Sequence, residues 1–303
     1  MKKIIIICGP TGIGKTSFAI KVAKRFNGEI IGADSMQIYK HMNIGTAKPG
    51  IEELKLARHH LVDFLDPKDD FDAGLYVKAA DRAILDIAGR SKIPIITGGT
   101  GLYIRALLNG LFRSESICRK TLSRLTKELE EKGGQSLYQK LKDCDPGAAR
   151  RIHRNDSFRV IRALEVYQTT GKKISDRQKN HNFNDLRYNC IKIGLCMDRE
   201  KLYERINKRV DIMLQQGLLE EVKSLVENGY SFDLKPMQSI GYKHMAMFIR
   251  QEATWEEAVR LLKRDTRRYA KRQFTWFNKD KKINWITPSN FEAAQKLIKE
   301  FLT

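Results

Sequence analysis

Two textures alternate along the first third of the chain. Largely apolar runs at residues 2–8, 29–32 and 93–97 read as strands. Between and around them, residues 16–26, 51–57 and 75–90 place apolar side chains at helical spacing. That order predicts an α/β fold, a parallel sheet flanked by crossover helices, with ligands gathered beyond the carboxyl ends of the strands. Near Ser114 the pattern changes. Residues 120–132 and 136–143 read as charged helices joined by Gly133-Gly134, and Asp145-Pro146-Gly147 punctuates them. Residues 156–170 form a strongly amphipathic helix with Phe158, Ile161, Leu164 and Val166, closed by Gly171. The polar stretch 172–187 is expected to be irregular. Residues 188–197 are an apolar strand again, and helices are expected at 199–217, 218–227, 255–277 and 291–301. Because the strand pattern stops and resumes, residues 115–187 are expected to form a helical insertion domain in a core built from 1–114 and 188–303.

Composition narrows the partners. The 303 residues suffice for an ample core, and no apolar run approaches a membrane span. The opening Met1-Lys2-Lys3 and isoleucines superficially resemble a signal peptide, but the apolar stretch is short and is better read as the first strand. Cysteines 8, 118, 144, 190 and 196 form no paired or zinc spacing and read as reduced thiols of a cytoplasmic protein. The net charge is +20, of which residues 1–113 carry +6 and residues 114–303 carry +14. An excess of that size suggests a polyanion, foremost a nucleic acid, over a merely soluble basic surface. It is densest at Arg260, Lys263, Arg264, Arg267, Arg268, Lys271 and Arg272, interleaved with Tyr269, Phe274, Trp276 and Phe277. The aromatics are expected to be mostly core and the cations outward.

Residues 9–16 read GPTGIGKT, a phosphate-loop pattern between a strand and a helix. Gly9, Gly12 and Gly14 let the backbone of Pro10, Thr11 and Ile13 wrap an anion, and the following helix adds its positive end. Lys15 is placed to neutralise phosphate oxygens and Thr16 to ligate Mg2+. The strand 93–97 ends in Gly98-Gly99 without the acid of a hydrolytic phosphate loop. An acid does follow the second strand: Asp34 is either a general base acting on an acceptor or a helix N-cap. His59-His60 with Asp63 lacks a third ligand spacing and argues against a metal site.

Several stretches together resemble the tRNA dimethylallyltransferase (tRNA isopentenyltransferase) family. They are GPTGIGKT (9–16), DSMQIYK (34–40), IGTAKP (44–49), HHLVD (59–63), GGTGLYIRAL (98–107), HRNDSFRVIRALEV (153–166), SIGYK (239–243) and TRRYAKRQFTWF (266–277), in family order. Residues 71–76 depart from the family pattern and are given no role. The resemblance implies a phosphate-loop NTPase-like fold and transfer of a dimethylallyl group from its diphosphate to N6 of the adenine immediately 3′ of the anticodon. Gly9, Pro10, Thr11, Gly12, Ile13, Gly14, Lys15, Thr16 and Arg209 would then hold the diphosphate, with Mg2+ on Thr16 as cofactor and Asp34, Lys15 and Thr16 catalytic. Asp34, Ser35, Met36 and Gln37 would meet the tRNA, with Ser35 and Gln37 reading adenine edges. Thr100 either orients the nucleotide or makes a simple turn. Phe158, Arg159, Val160, Ile161 and Arg162 of the insertion, closing on the anticodon loop, and Arg267, Arg268 and Arg272 complete the RNA contacts. Arg162 with Glu165 also reads as a plain helix pair, and Arg205 either touches diphosphate or lies on a solvated helix face. A monomer is expected. The rivals are a small-molecule kinase using ATP, a non-catalytic RNA-binding regulator, and a transferase acting on free adenine nucleotides.

Overall fold

The computed structural model describes residues 1–110, 119–181 and 186–303. Cys118 and the expected boundary at 114/115 lie outside them. The chain divides into two compact units, Met1–Leu108 with Arg187–Thr303, and Asn109–Leu186.

The first unit is built on a six-stranded, all-parallel sheet. Its strands are β1 (Lys3–Cys8), β2 (Gly28–Gly32), β3 (His59–His60), β4 (Ile93–Gly98), β5 (Asn189–Leu195) and β6 (Asn284–Ile286), in the spatial order β3-β2-β4-β1-β5-β6. Ile4 to Ile7 of β1 have no exposed surface, as expected of a central parallel strand covered on both faces. The early helices are α1 (Lys15–Arg25), α2 (Ile51–Leu56), α3 (Ala73–Gly89) and α4 (Gly101–Asn109). Phe18, Ala19, Val22 and Ala23 of α1 pack on Ile5, Ile7, Ile30 and Ile95 of the sheet. Each fully buried side chain of this kind contributes about 1.5–3 kcal/mol. The strand order reverses about β1, so the crevice at its carboxyl end is the natural ligand position.

The second unit is helical: α5 (Arg119–Cys144), α6 (Pro146–Ala149), α7 (Ser157–Thr170) and α8 (Ile174–His181). Gly133, at φ 74 and ψ 167, breaks α5 where the glycine pair predicted a joint. Asp156 caps α7 by accepting from Arg159 N, and Gly171 ends it in the left-handed region. Leu125, Leu137, Leu141, Val160, Ile161 and Leu164 form this unit's core. Asp145 is fully buried because both oxygens are used: Oδ1 accepts from Ala148 N at 2.9 Å and Oδ2 from Ser175 N at 3.0 Å. The expectation of irregular structure across 172–187 is corrected in its middle, where Ser175 anchors α8 to that carboxylate.

The remaining helices return to the first unit: α9 (Arg199–Gln215), α10 (Leu218–Glu227), α11 (Tyr242–Ile249), α12 (Trp255–Phe277) and α13 (Phe291–Leu302). Asp198 and Thr254 cap α9 and α12.

Candidate active site

Thr11, Gly12 and Gly14 after β1, Asp34 and Gln37 after β2, and Thr97-Gly98 at the end of β4 line one cavity of about 1050 Å³. Arg205, Lys208 and Arg209 of α9 form another of its walls. Their spacing of three and four residues places these cations on one helix face. A second cavity of about 330 Å³ shares Thr11, Asp34, Arg209 and Tyr269 with the first and is also lined by Met36, Ile206, Val210, Met213 and Leu262. One space is cationic and the adjoining one largely apolar, and Asp34 lies at their junction.

Gly12 and Gly14 take φ of 81° and 97°, so the loop turns its amides one way. The N–H groups of Gly12, Ile13, Gly14, Lys15 and Thr16 donate to no acceptor among the described residues, which leaves an anion cradle. Three members of the expected diphosphate set offer an anion less than the rest of the loop does. Pro10 has no N–H and instead accepts from Lys15 Nζ at 2.8 Å. The Ile13 side chain is fully buried, so only its backbone serves. Thr11 N–H is already committed to Gln273 Oε1 at 2.8 Å. Burial pushes the Lys15 ammonium down to about 8; Asp34 opposes that shift and Arg209 adds to it. Burial likewise lowers Arg209, again opposed by Asp34. An anion entering the cradle would relieve this crowding of cations.

Asp34 caps a turn, with no helix following it, and keeps one oxygen open. Oδ1 accepts from Met36 N at 2.9 Å and Gln37 N at 3.3 Å, a capping turn, whereas Oδ2 has no partner among the described residues. Thr100 Oγ1 accepts from Ser35 N at 3.1 Å, and Thr100 N donates to Ala33 O, so Thr100 ties the β2 and β4 loops together. Gln37 is corrected as a reader of adenine. Its amide nitrogen gives both hydrogens to Thr46 O and Ala47 O, at 3.2 and 2.9 Å, which leaves no donor for a bidentate adenine pair.

Residues 43–47 form a further wall, overlapping the family-like stretch IGTAKP, of which no role was expected. Its Asn43, Ile44 and Gly45 N–H groups converge on the Glu221 carboxylate at 2.9, 2.8 and 3.1 Å, and Tyr242 donates to the same carboxylate at 2.6 Å. Lys208, Tyr269 and Gln273 also went unassigned; helical spacing from Arg205 and Arg209 could have found the first.

The basic helix α12 is not a free row of cations. Arg260 pairs with Glu257, Lys263 with Asp211 and Arg264 with Asp265, and Arg267 donates to Asn207 Oδ1 at 2.6 Å. Arg268 is exposed with Asp265 only at 4.0 Å, and Arg272 lies over the Tyr269 ring at the second cavity. In the helical unit, Phe158 is 83% exposed and Arg159 is exposed, but Val160 and Ile161 are core. Their side chains are therefore unavailable to an RNA. Arg162 pairs with the buried Glu165. His60 bonds Glu29, which also holds Arg90 and Lys92, and no cluster of metal-ligating acids, histidines or cysteines occurs among the described residues.

The family model described as IPP transferase matches residues 37–280. A tRNA dimethylallyltransferase of Acetivibrio thermocellus is 50% identical over 300 residues, spanning 99% of this chain and 96% of that one. The chain belongs to the tRNA dimethylallyltransferase family. Among solved structures, the tRNA Δ2-isopentenylpyrophosphate transferase of Staphylococcus epidermidis has a TM-score of 0.72 at 42% identity, covering 99% of this chain and 100% of its own. A eukaryotic dimethylallyltransferase acting on tRNA has a TM-score of 0.83 at 33% identity, covering 98% of this chain and 78% of its own. The phosphate-loop-like α/β fold is therefore the family's fold, and the kinase alternative is not favoured. No helix among the described residues is long and apolar enough to cross a membrane.

Proposed function

We propose that this enzyme transfers a dimethylallyl group from dimethylallyl diphosphate to N6 of the adenine immediately 3′ of the anticodon in tRNA, releasing diphosphate. The observation that carries the reading is the unpaired Asp34 Oδ2 at the junction of a cationic and an apolar cavity. Diphosphate occupies the cradle of Gly12 to Thr16, with Lys15, Arg205 and Arg209 around it. The allyl chain and the purine share the space bordered by Ile206, Val210, Met213 and Tyr269. As the N6–carbon bond forms and the carbon–oxygen bond breaks, the N6 proton passes to Asp34 and the electron pair leaves with diphosphate, whose charge the cradle disperses.

The donors fit Mg2+: the Thr16 hydroxyl has no partner among the described residues and Thr97 Oγ1 is buried without one. Mg2+ commonly keeps waters and substrate phosphates and does without an all-protein cage. When bound, it would neutralise charge growing on the leaving group. The anticodon loop is met by the exposed Phe158, suited to stacking, and by Arg159, while Arg268 and Arg272 of α12 take phosphates. The enzyme acts as a monomer in the cytoplasm.

Labelled dimethylallyl diphosphate, Mg2+ and bulk tRNA, followed by digestion, should yield one labelled nucleoside, N6-dimethylallyladenosine. Label appearing only in free adenine nucleotides would overturn the choice of acceptor.

A further inference from the structure

Gln273 is one of the few polar side chains buried in the protein, 5% exposed on the inner face of α12. Its amide spans two loops far apart in sequence. Oε1 accepts from Thr11 N at 2.8 Å, and Nε2 donates to Gly99 O at 2.9 Å. The orientation is fixed by chemistry, because a peptide N–H can only donate and a carbonyl can only accept. Contact is close: a Cβ added at residue 99 would stand 2.2 Å from Nε2, so the amide would have to shift. The same helix face continues onto this loop. Tyr269, one turn earlier, faces Thr100 and Gln273, and Trp276 packs against Gly101, where a Cβ would come within 2.2 Å of the indole. Residues 269, 273 and 276 thus form an i, i+4, i+7 stripe seated on the β4 loop.

We infer that Gln273 is a positioning residue for the transfer reaction: its amide sets the Thr11 peptide of the phosphate loop against the Gly99–Gly101 loop and so shapes the diphosphate cradle. By consuming the Thr11 N–H, Gln273 decides where the run of unpaired amides begins, at Gly12. It also makes α12 a strut. The inner face fixes the cradle, while the outer face carries Arg268 and Arg272, the cations assigned above to RNA. This inference deepens the proposed function and rests on it for the identity of the bound anion.

The test uses inorganic pyrophosphate with Mg2+, so that it does not depend on which acceptor the enzyme uses. Gln273→Glu keeps an acceptor for Thr11 but faces Gly99 O with a carboxylate. Gln273→Met keeps the length and loses both bonds. Gly99→Ala displaces the amide while Gln273 itself is kept. Each variant is checked for native circular dichroism. Pyrophosphate affinity by calorimetry should then fall about tenfold or more, with KM for dimethylallyl diphosphate rising in parallel and tRNA affinity unchanged within about twofold, the size of effect expected for one or two lost buried hydrogen bonds. Folded Gln273→Met and Gly99→Ala proteins that bind pyrophosphate within twofold of wild type would overturn the inference. Equal losses of pyrophosphate and tRNA affinity would also overturn it, because they would make Gln273 a general packing residue. Should Gln273→Met fail to fold, Gly99→Ala and Gln273→Glu decide by the same readout.

Discussion

Asp34→Asn separates the two jobs that the geometry gives to one carboxylate. Oδ1 caps the turn through Met36 N and Gln37 N, and an asparagine oxygen can keep both bonds. The unpaired Oδ2, the proposed acceptor of the amine's proton, becomes an NH2 that cannot take a proton. Loss of a general base costs about 10²–10⁴ in rate, or about 3–5 kcal/mol at 1.36 kcal/mol per decade. Loss of the cap costs about 0.5–2 kcal/mol of stability. Asp34→Asn should therefore lower single-turnover transfer by at least a hundredfold and leave the urea midpoint where it was. Asp34→Ala should lose both. Single-turnover transfer is measured with saturating tRNA and labelled dimethylallyl diphosphate, so that product release does not mask the step. Transfer by Asp34→Asn within tenfold of wild type would show that the proton leaves by another route. A matching fall in stability would show that the asparagine disturbed the turn, and Asp34→Ala then sets the scale of that effect.

Three further outcomes follow from the site. The Lys15 ammonium, lowered to about 8 by burial, is charged below that pH and neutral above it in the free enzyme, while bound diphosphate favours the charged form. KM for dimethylallyl diphosphate should accordingly rise above pH 8, by about tenfold at pH 9. Lys15→Arg, which stays charged, should lack that limb even if it binds more weakly. Glu221→Ala strands the Asn43, Ile44 and Gly45 amides and the Tyr242 hydroxyl, and should cost about 2–3 kcal/mol in urea unfolding. On α12, Arg268→Ala and Arg272→Ala should each flatten the salt dependence of tRNA binding by about one unit in the log–log slope. Lys263→Ala, whose ammonium is paired with Asp211 at 2.6 Å, should leave it unchanged.

How much of this could be read from the chain depended on how local each signal was. The phosphate loop, the break at Gly133 and the closing Gly171 are set within a few residues, and their turn and capping chemistry was legible; the capping role of Asp156, read as the first helical residue, was not. Strands β3 and β6 were not foreseen because two or three residues carry no periodicity; their pairing partners are Ile30, Ile31 and β5, remote in sequence. The site divides the same way. Asp34 and Lys15 announced themselves by neighbouring a motif. Gln273 and Glu221 act on backbone atoms 262 and 176–178 residues away, and no spacing rule reaches that far. Charge composition suggested a polyanion correctly in kind but could not separate Arg268 from Lys263, because that depends on an aspartate presented by another helix.

The missing acid at the end of β4 is also a packing matter. Phosphate-loop hydrolases place an aspartate there, over the metal. Here β4 ends Thr97-Gly98-Gly99, and both glycines are enclosed. A Cβ on Gly98 would lie 2.0 Å from Ala33 O, and one on Gly99 would lie 2.2 Å from Gln273 Nε2. An aspartate could enter only by pushing away the peptide that precedes Asp34 or the amide that fixes Thr11. Close approach of β2, β4 and α12 thus leaves no room for the acid that would hold the metal in a hydrolytic site, and Asp34 lies beside the cradle. A phosphate loop built this way fits the proposed role of receiving diphosphate from an alkyl carbon, with Asp34 as the proposed base.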